Sequence, residues 1–222
     1  MKFSKDIRVN INKEDVLRLL GRKNGGNPGR TEKRLDQFID HARDLMEAKV
    51  GYSTRKIEDK GKATITLEGA VSLKSVKLSK ALSACDRATV FLATIGSDID
   101  VLINDLSNKN RLSEAYIYDA IGSVAVEGAL DDFQNSFDLA LSKSRESTTM
   151  RFSPGYCDWN IKEQKKIFEL LDSKAMGVSL SPTFLMNPRK SVSGVFGIAP
   201  GTAEARPDQC SMCSRKSCIA RR

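Results

Sequence analysis

Two stretches of the chain hold residue types whose spacing suits chemistry. Near the C-terminus, Cys210, Cys213 and Cys218 follow the pattern Cys-x-x-Cys-x-x-x-x-Cys. In a reducing compartment, clustered thiols serve more often as metal ligands or redox groups than as disulfides. The neighbouring Arg215 and Lys216 favour the thiolate form. Three thiolates leave a tetrahedral zinc site one ligand short, so Cys157 or an outside group would have to complete it. The spacing fits zinc or an iron–sulfur centre, and equally a free or redox-active tail. The second stretch is Arg151-Phe-Ser-Pro-Gly-Tyr156. A guanidinium grips a carboxylate with two bonds, glycine lets a ligand approach the backbone, and tyrosine adds a donor on a flat surface. That combination suits a zwitterionic amino-acid ligand. Taken alone, the hexapeptide also fits a rigid turn between helices with a surface arginine.

Other chemistries are excluded by what the chain lacks. It has one histidine, His41. This rules out a zinc-hydrolase helix with two histidines and weakens any serine or cysteine triad. His41 flanks the apolar face Leu35, Phe38, Ile39, Ala42, Leu45 and Met46, which gives it a structural or solvent role. No Gly-x-Gly-x-x-Gly follows a strand. The pair Gly61-Lys62 has Lys56 and Ala63 where a phosphate loop needs glycine and Ser/Thr. Net charge is +8, with +6 in residues 1–34, +4 in residues 190–222 and −2 between them. Basic ends fit an acidic protein partner, an anionic cofactor or a merely solvated face. With 6% aromatics and no recognised motif, nucleic acid is not an expected partner. No apolar run approaches the ~18 residues of a membrane helix, and no signal-peptide core is present, so a cytoplasmic protein is expected.

A chain of 222 residues makes one compact unit. Residues 1–200 are read as one α+β domain and 201–222 as a cysteine-bearing tail. The N-terminal Met1–Asp6 reads as the start of a strand. Asn12 caps a helix over 13–20, and the glycine-rich segment 25–29 must be a loop. A helix from a Thr31 cap to about Lys49 has one apolar face. Strands are expected over 52–58 and 63–67, a short helix over 75–83, and a buried strand over 88–95. Cys85, just before that strand, reads as core. Helices follow over 98–106 and about 113–143, the latter interrupted by Gly122 and Gly128. Each glycine costs roughly 1 kcal/mol in a helix, which points to close packing as its reason. Residues 144–149 read as loop, 161–171 as helix, and 178–180 and 191–198 as strands. Helices and strands mix without a βαβ rhythm, which favours an α+β fold with an antiparallel sheet.

The surroundings of the arginine loop carry a family likeness. In order come Arg151-x-x-Pro-Gly-Tyr156, Asp158-Trp159, Gln164 to Leu171, Gly177-Val-Ser-Leu-Ser, Met186-Asn-Pro and Lys190-Ser-Val-Ser-Gly194. This series resembles the activation domain of cobalamin-dependent methionine synthase. Upstream, Phe91-Leu-Ala-Thr-Ile-Gly96 and Tyr118 to Glu127 are similar to the short, free-standing members of that family. The likeness spans roughly residues 85–200, and the N-terminal part only loosely.

The resemblance implies a C-shaped α+β domain with a twisted antiparallel sheet flanked by helices. It implies S-adenosylmethionine in a shallow groove beside the loop. Arg151 would hold the ligand carboxylate, Ser153 and Gly155 would give backbone contacts, Tyr156 would lie against the ligand, and Glu127 would pair with its amino group. The implied role is reductive reactivation within a methionine-forming methyltransferase system. Cob(II)alamin takes one electron, and the methyl group of S-adenosylmethionine traps the cob(I) form as methylcobalamin. The chain has no Asp-x-His-x-x-Gly, so the cobalamin belongs to a partner. That partner would be a corrinoid-binding protein or a methionine synthase lacking its activation domain, with flavodoxin or ferredoxin as electron donor. Two other readings stay open: an activator of corrinoid methyltransferases in anaerobic methyl metabolism, and a non-catalytic module that kept the fold. The chain also departs from the fused domain. No tyrosine follows Tyr156, no N-terminal acidic ligand position can be placed, and the tail cysteines are additional.

Overall fold

The computed structural model describes residues 1–4, 6–21 and 30–201. The expected loop at 25–29 and the tail cysteines Cys210, Cys213 and Cys218 lie outside the described residues. Along the chain come β1 (Lys2–Phe3), α1 (Lys13–Leu19), α2 (Arg30–Asp44), β2 (Lys49–Lys60), β3 (Thr64–Leu67) and β4 (Val71–Lys74). Then follow α3 (Val76–Ala81), β5 (Arg87–Thr94), α4 (Asp98–Asn108), α5 (Leu112–Ser142) and β6 (Glu146–Thr148). A 3-10 turn (Ile161–Glu163), α6 (Gln164–Leu170), β7 (Ser179–Leu180), β8 (Met186–Asn187) and β9 (Ser191–Pro200) complete it.

One antiparallel sheet runs in the order β4-β3-β2-β5-β9-β6, with β1 paired to β2 at its other end. The sheet is curled, and helices cover it, as an α+β fold requires. Strand β5 is buried at every position after Arg87 because it is covered on both faces. Phe91 and Ala93 enter one core with α1, α2, α4 and α5, while Ala88, Val90 and Leu92 enter a second with α3, α6 and the β3–β4 hairpin. Alternation along a strand sends neighbours to opposite sides, so one strand supplies both cores. Cys85 is fully buried in the second core.

Helix α1 starts where expected, with the Asn12 side chain accepting from the Glu14 and Asp15 amides. The two glycines of α5 mark close approaches. At Gly128 a Cβ would stand 1.8 Å from the Asn10 carbonyl oxygen, and at Gly122 it would stand 3.1 Å from the Lys190 stem. Three expectations change. Helix α2 stops at Asp44, because Lys49 already pairs with Thr94 in the sheet. Residues 146–148 form an edge strand instead of loop; Glu-Ser-Thr is polar and pairs on one side only, against β9. The strands β4 and β8 are short and were not expected. His41 is exposed, and its Nδ1 lies 2.7 Å from the Tyr118 hydroxyl, a structural link between α2 and α5.

Candidate functional site

Helix α5 carries Asp119, Ser123, Glu127 and Asp131 at four-residue steps, which puts them on one face. Gln134 and Asp138 continue that face. Lys190, just before β9, and Arg151, just after β6, meet this polar stripe, and Arg189 adds a looser ion pair to Asp119 at 3.7 Å. At the start of the stripe, the Lys190 ammonium donates to Asp119 Oδ1 (2.8 Å), the Asp119 carbonyl (2.9 Å) and Ser123 Oγ (3.0 Å). Its stem lies over Gly122. Farther along, Arg151 donates through Nη2 to Asp131 Oδ1 (2.7 Å) and Glu127 Oε2 (3.3 Å), and through Nη1 to Gln134 Oε1 (3.1 Å).

The placement of Arg151 follows from strand alternation. After β6 the chain keeps to the edge of β9: Thr149 N–H donates to the Gly197 carbonyl, and Phe152 and Val195 exchange both backbone bonds at 2.8 Å. Met150 and Phe152 therefore point into the second core, and Arg151 between them points to α5. Helix α5 fixes the same segment through Gln134 Nε2, which donates to Thr148 Oγ1 and the Thr149 carbonyl. Asp138 adds a bond by accepting from the Thr148 amide. The arginine side chain is only 14% exposed.

Beyond Phe152 the chain leaves the edge in a tight turn. Tyr156 N–H donates to the Ser153 carbonyl, Trp159 N–H to the Tyr156 carbonyl, and Gly155 N–H to the Trp159 carbonyl at 2.8 Å. Gly155 has φ of +94°, a conformation that side chains disfavour, so glycine is required there. The Tyr156 side chain is exposed, and Trp159 is buried in the second core. Asp158 reaches back to α3, where it accepts from Ser75 Oγ (2.8 Å) and the amides of Val76 (2.6 Å) and Lys77 (3.4 Å). Desolvation opposes ionisation of Asp158. The bonds from Ser75 and from the Val76, Lys77 and Asp158 amides outweigh it and hold the carboxyl below its usual range.

A polar cavity of about 200 Å³ opens beside this arrangement, between α5 and the segment entering α1. Asn10, Asn12 and Asp15 face Asp131, Asp132 and Asn135 across it. The structure thus brings Glu127 and Arg151 together and sets Ser153, Gly155 and Tyr156 on the turn that follows. Sequence reasoning missed Asp131 and Gln134. Their signal was the spacing from Glu127, four and seven residues along the same helix face. Cys157 is exposed on the turn. Among the described residues there is no group of three or more metal-ligating side chains. No described helix is long and apolar enough to cross a membrane.

The family model for the vitamin B12 dependent methionine synthase activation domain matches residues 131–207, which include Asp131, Gln134 and the whole arginine turn. The chain resembles the methionine synthase activation domain. A crystal structure of the MetH reactivation domain bound to AdoHcy shares the activation-domain fold: TM-score 0.64, 15% identity, over 92% of this chain and 80% of that one. No curated protein matches the chain.

Proposed function

We propose that this protein is a cytoplasmic S-adenosylmethionine-binding reactivation module, serving cobalamin held outside these 222 residues. The carrying observation is that Arg151 stands beside Glu127 and Asp131 at the sheet edge, next to the Gly155–Tyr156 turn, in the activation-domain fold. When bound, S-adenosylmethionine would supply the methyl group that captures a partner's reduced cobalamin, as in the family.

The residues fit such a ligand. Arg151, Glu127 and Asp131 sum to −1, and S-adenosylmethionine carries a carboxylate, an ammonium and a sulfonium, which sum to +1. Its carboxylate would take Arg151 from one of the two acids, and the released acid would face the ammonium. Binding is then an exchange of partners, so no buried charge is left bare. In the turn, the Gly155 amide and the Ser153 carbonyl are used internally. This leaves the Ser153 amide and the Gly155 carbonyl to offer to the ligand, with the Tyr156 ring alongside. Neither proton transfer nor a protein nucleophile is needed, because the methyl donor is already activated as a sulfonium. The chain's task is to hold the donor in position. The client would be a corrinoid-binding protein or a methionine synthase lacking this domain, with a flavodoxin or ferredoxin as reductant.

Titration calorimetry with S-adenosylmethionine tests the binding half. Arg151→Ala should lose about 2–4 kcal/mol of affinity, since the ligand carboxylate would meet two acids without their cation. Mixing the protein with a cob(II) corrinoid partner, a reductant and S-adenosylmethionine tests the rest. Methylcobalamin absorption bands should grow only when all are present. Failure of the wild-type protein to bind S-adenosylmethionine would overturn the proposal.

A further inference from the structure

The turn that follows Arg151 is attached to the fold at its far end by a side chain that faces away from the arginine. Asp158 accepts from Ser75 Oγ at 2.8 Å and from the Val76 amide at 2.6 Å, bridging 83 and 82 residues of sequence. The Lys77 amide is a longer third contact at 3.4 Å. Ser75 is itself buried, and its Oγ accepts from the Leu78 amide at 3.0 Å, so it caps α3 and holds Asp158 at once. On the next residue, Trp159, the carbonyl accepts from the Gly155 amide. Residues 153–159 are thus closed into a loop whose near end is fixed by the Phe152–Val195 bridge and whose far end is fixed by Asp158 on α3.

We propose that Asp158 is a positioning residue for the ligand site: through α3 it sets where Gly155 and Tyr156 stand relative to Arg151, without touching ligand. This rests on the reading of the Arg151–Tyr156 segment as the ligand site. A carboxylate suits the task because it accepts from a hydroxyl and a backbone amide at the same time, one through each oxygen. An amide oxygen keeps one of those bonds, and alanine keeps neither. Ser75 offers an internal comparison. Its loss removes the cap of α3 and one bond to Asp158, but leaves the short bond from the Val76 amide.

The experiment compares Asp158→Ala, Asp158→Asn and Ser75→Ala with the full-length wild type. Affinity for S-adenosylhomocysteine is measured by calorimetry, stability by urea unfolding, and amide hydrogen exchange at Gly155 and Tyr156 by NMR. Asp158→Ala should bind about tenfold more weakly, Asp158→Asn should recover part of that loss, and Ser75→Ala should lose about threefold or less while being at least as destabilised as Asp158→Ala. Exchange at Gly155 and Tyr156 should quicken in Asp158→Ala before global unfolding. Wild-type affinity in a folded Asp158→Ala, or losses of affinity that merely follow losses of stability across the three variants, would overturn the proposal. If the wild type itself does not bind, the ligand reading fails. The exchange data then decide alone, and unchanged protection of Gly155 and Tyr156 in Asp158→Ala rejects the positioning role.

Discussion

Replacing Gly128 by alanine should loosen the junction between α5 and the N-terminal segment, and the distances set the scale. A Cβ there would lie 1.8 Å from the Asn10 carbonyl oxygen and 2.9 Å from its carbon. Bringing the first distance to 3.0 Å, the lower limit of real contacts, requires a retreat of about 1.2 Å. The obstacle is backbone, so no rotamer change relieves it. The retreat also displaces Ile11, buried in the first core, and Asn12, whose side chain caps α1. Overpacking of this kind costs about 3 kcal/mol, and alanine returns about 1 kcal/mol in helix propensity. The expected net loss is about 2 kcal/mol, a fall in melting temperature of roughly 4–8 °C for a chain of this size. Gly122→Ala is the control on the same helix. The nearest neighbours of its Cβ would be Lys190 methylenes at 3.1–3.2 Å, the part of a flexible side chain that can shift by a few tenths of an ångström. It should stay within about 1 kcal/mol of wild type. Urea unfolding and calorimetric melting check both variants. A Gly128→Ala protein that melts with the wild type, or a Gly122→Ala protein that loses as much as Gly128→Ala, would refute the steric argument.

Lys190→Met keeps a stem over Gly122 but removes the ammonium from Asp119 and Ser123; urea unfolding should show a loss of about 1–3 kcal/mol. Burial, opposed by Lys60 and aided by Asp86, pushes the Cys85 thiol up to about 11 from 9.0. The thiol ionises more readily in the unfolded chain, so its contribution of about 2–3 kcal/mol is intact below pH 9 and is lost as pH rises through 11. A Cys85→Ala variant should lack that segment of the alkaline unfolding curve. Iodoacetamide followed by peptide mapping should label the exposed Cys157 in the native protein and spare Cys85. Affinity for S-adenosylmethionine should weaken with added salt, by about twofold or more between 0.05 and 0.5 M, while that for the neutral S-adenosylhomocysteine changes less.

The elements legible in the sequence were those with long patterns or a strong cap. Helix α5 is 31 residues long with a dense apolar middle, β5 has a dense apolar centre, and Asn12 announces α1. The end of α2 was not legible, because Leu45 and Met46 continue the helical pattern after the backbone has turned toward β2. Strand β6 was missed because an edge strand of Glu-Ser-Thr has no apolar residue to reveal it, although Thr148 is buried. For the site, the residue types of Arg151–Tyr156 fitted a ligand loop and a plain turn alike, and only the ordered motifs around them pointed to a ligand. Asp131 was not, since an acid on a long helix looks like any solvated charge until Arg151 is folded beside it. The link from Asp158 to α3 was equally hidden, because hydrogen bonds across 82 residues leave no mark on local sequence.

The two halves of the candidate site are rooted in different interiors. The acids of α5 stand on the first core, and the Gly155–Tyr156 turn is rooted by Trp159 in the second. What joins them is backbone and polar, the hydrogen-bond ladders of the sheet and the Asp158 link to α3, and it does not depend on which aliphatic side chains fill either side. Each interior can exchange its leucines, valines and phenylalanines in the course of evolution while that frame is kept. A chain and its structural counterpart can then share only 15% of their residues and still preserve the same architecture.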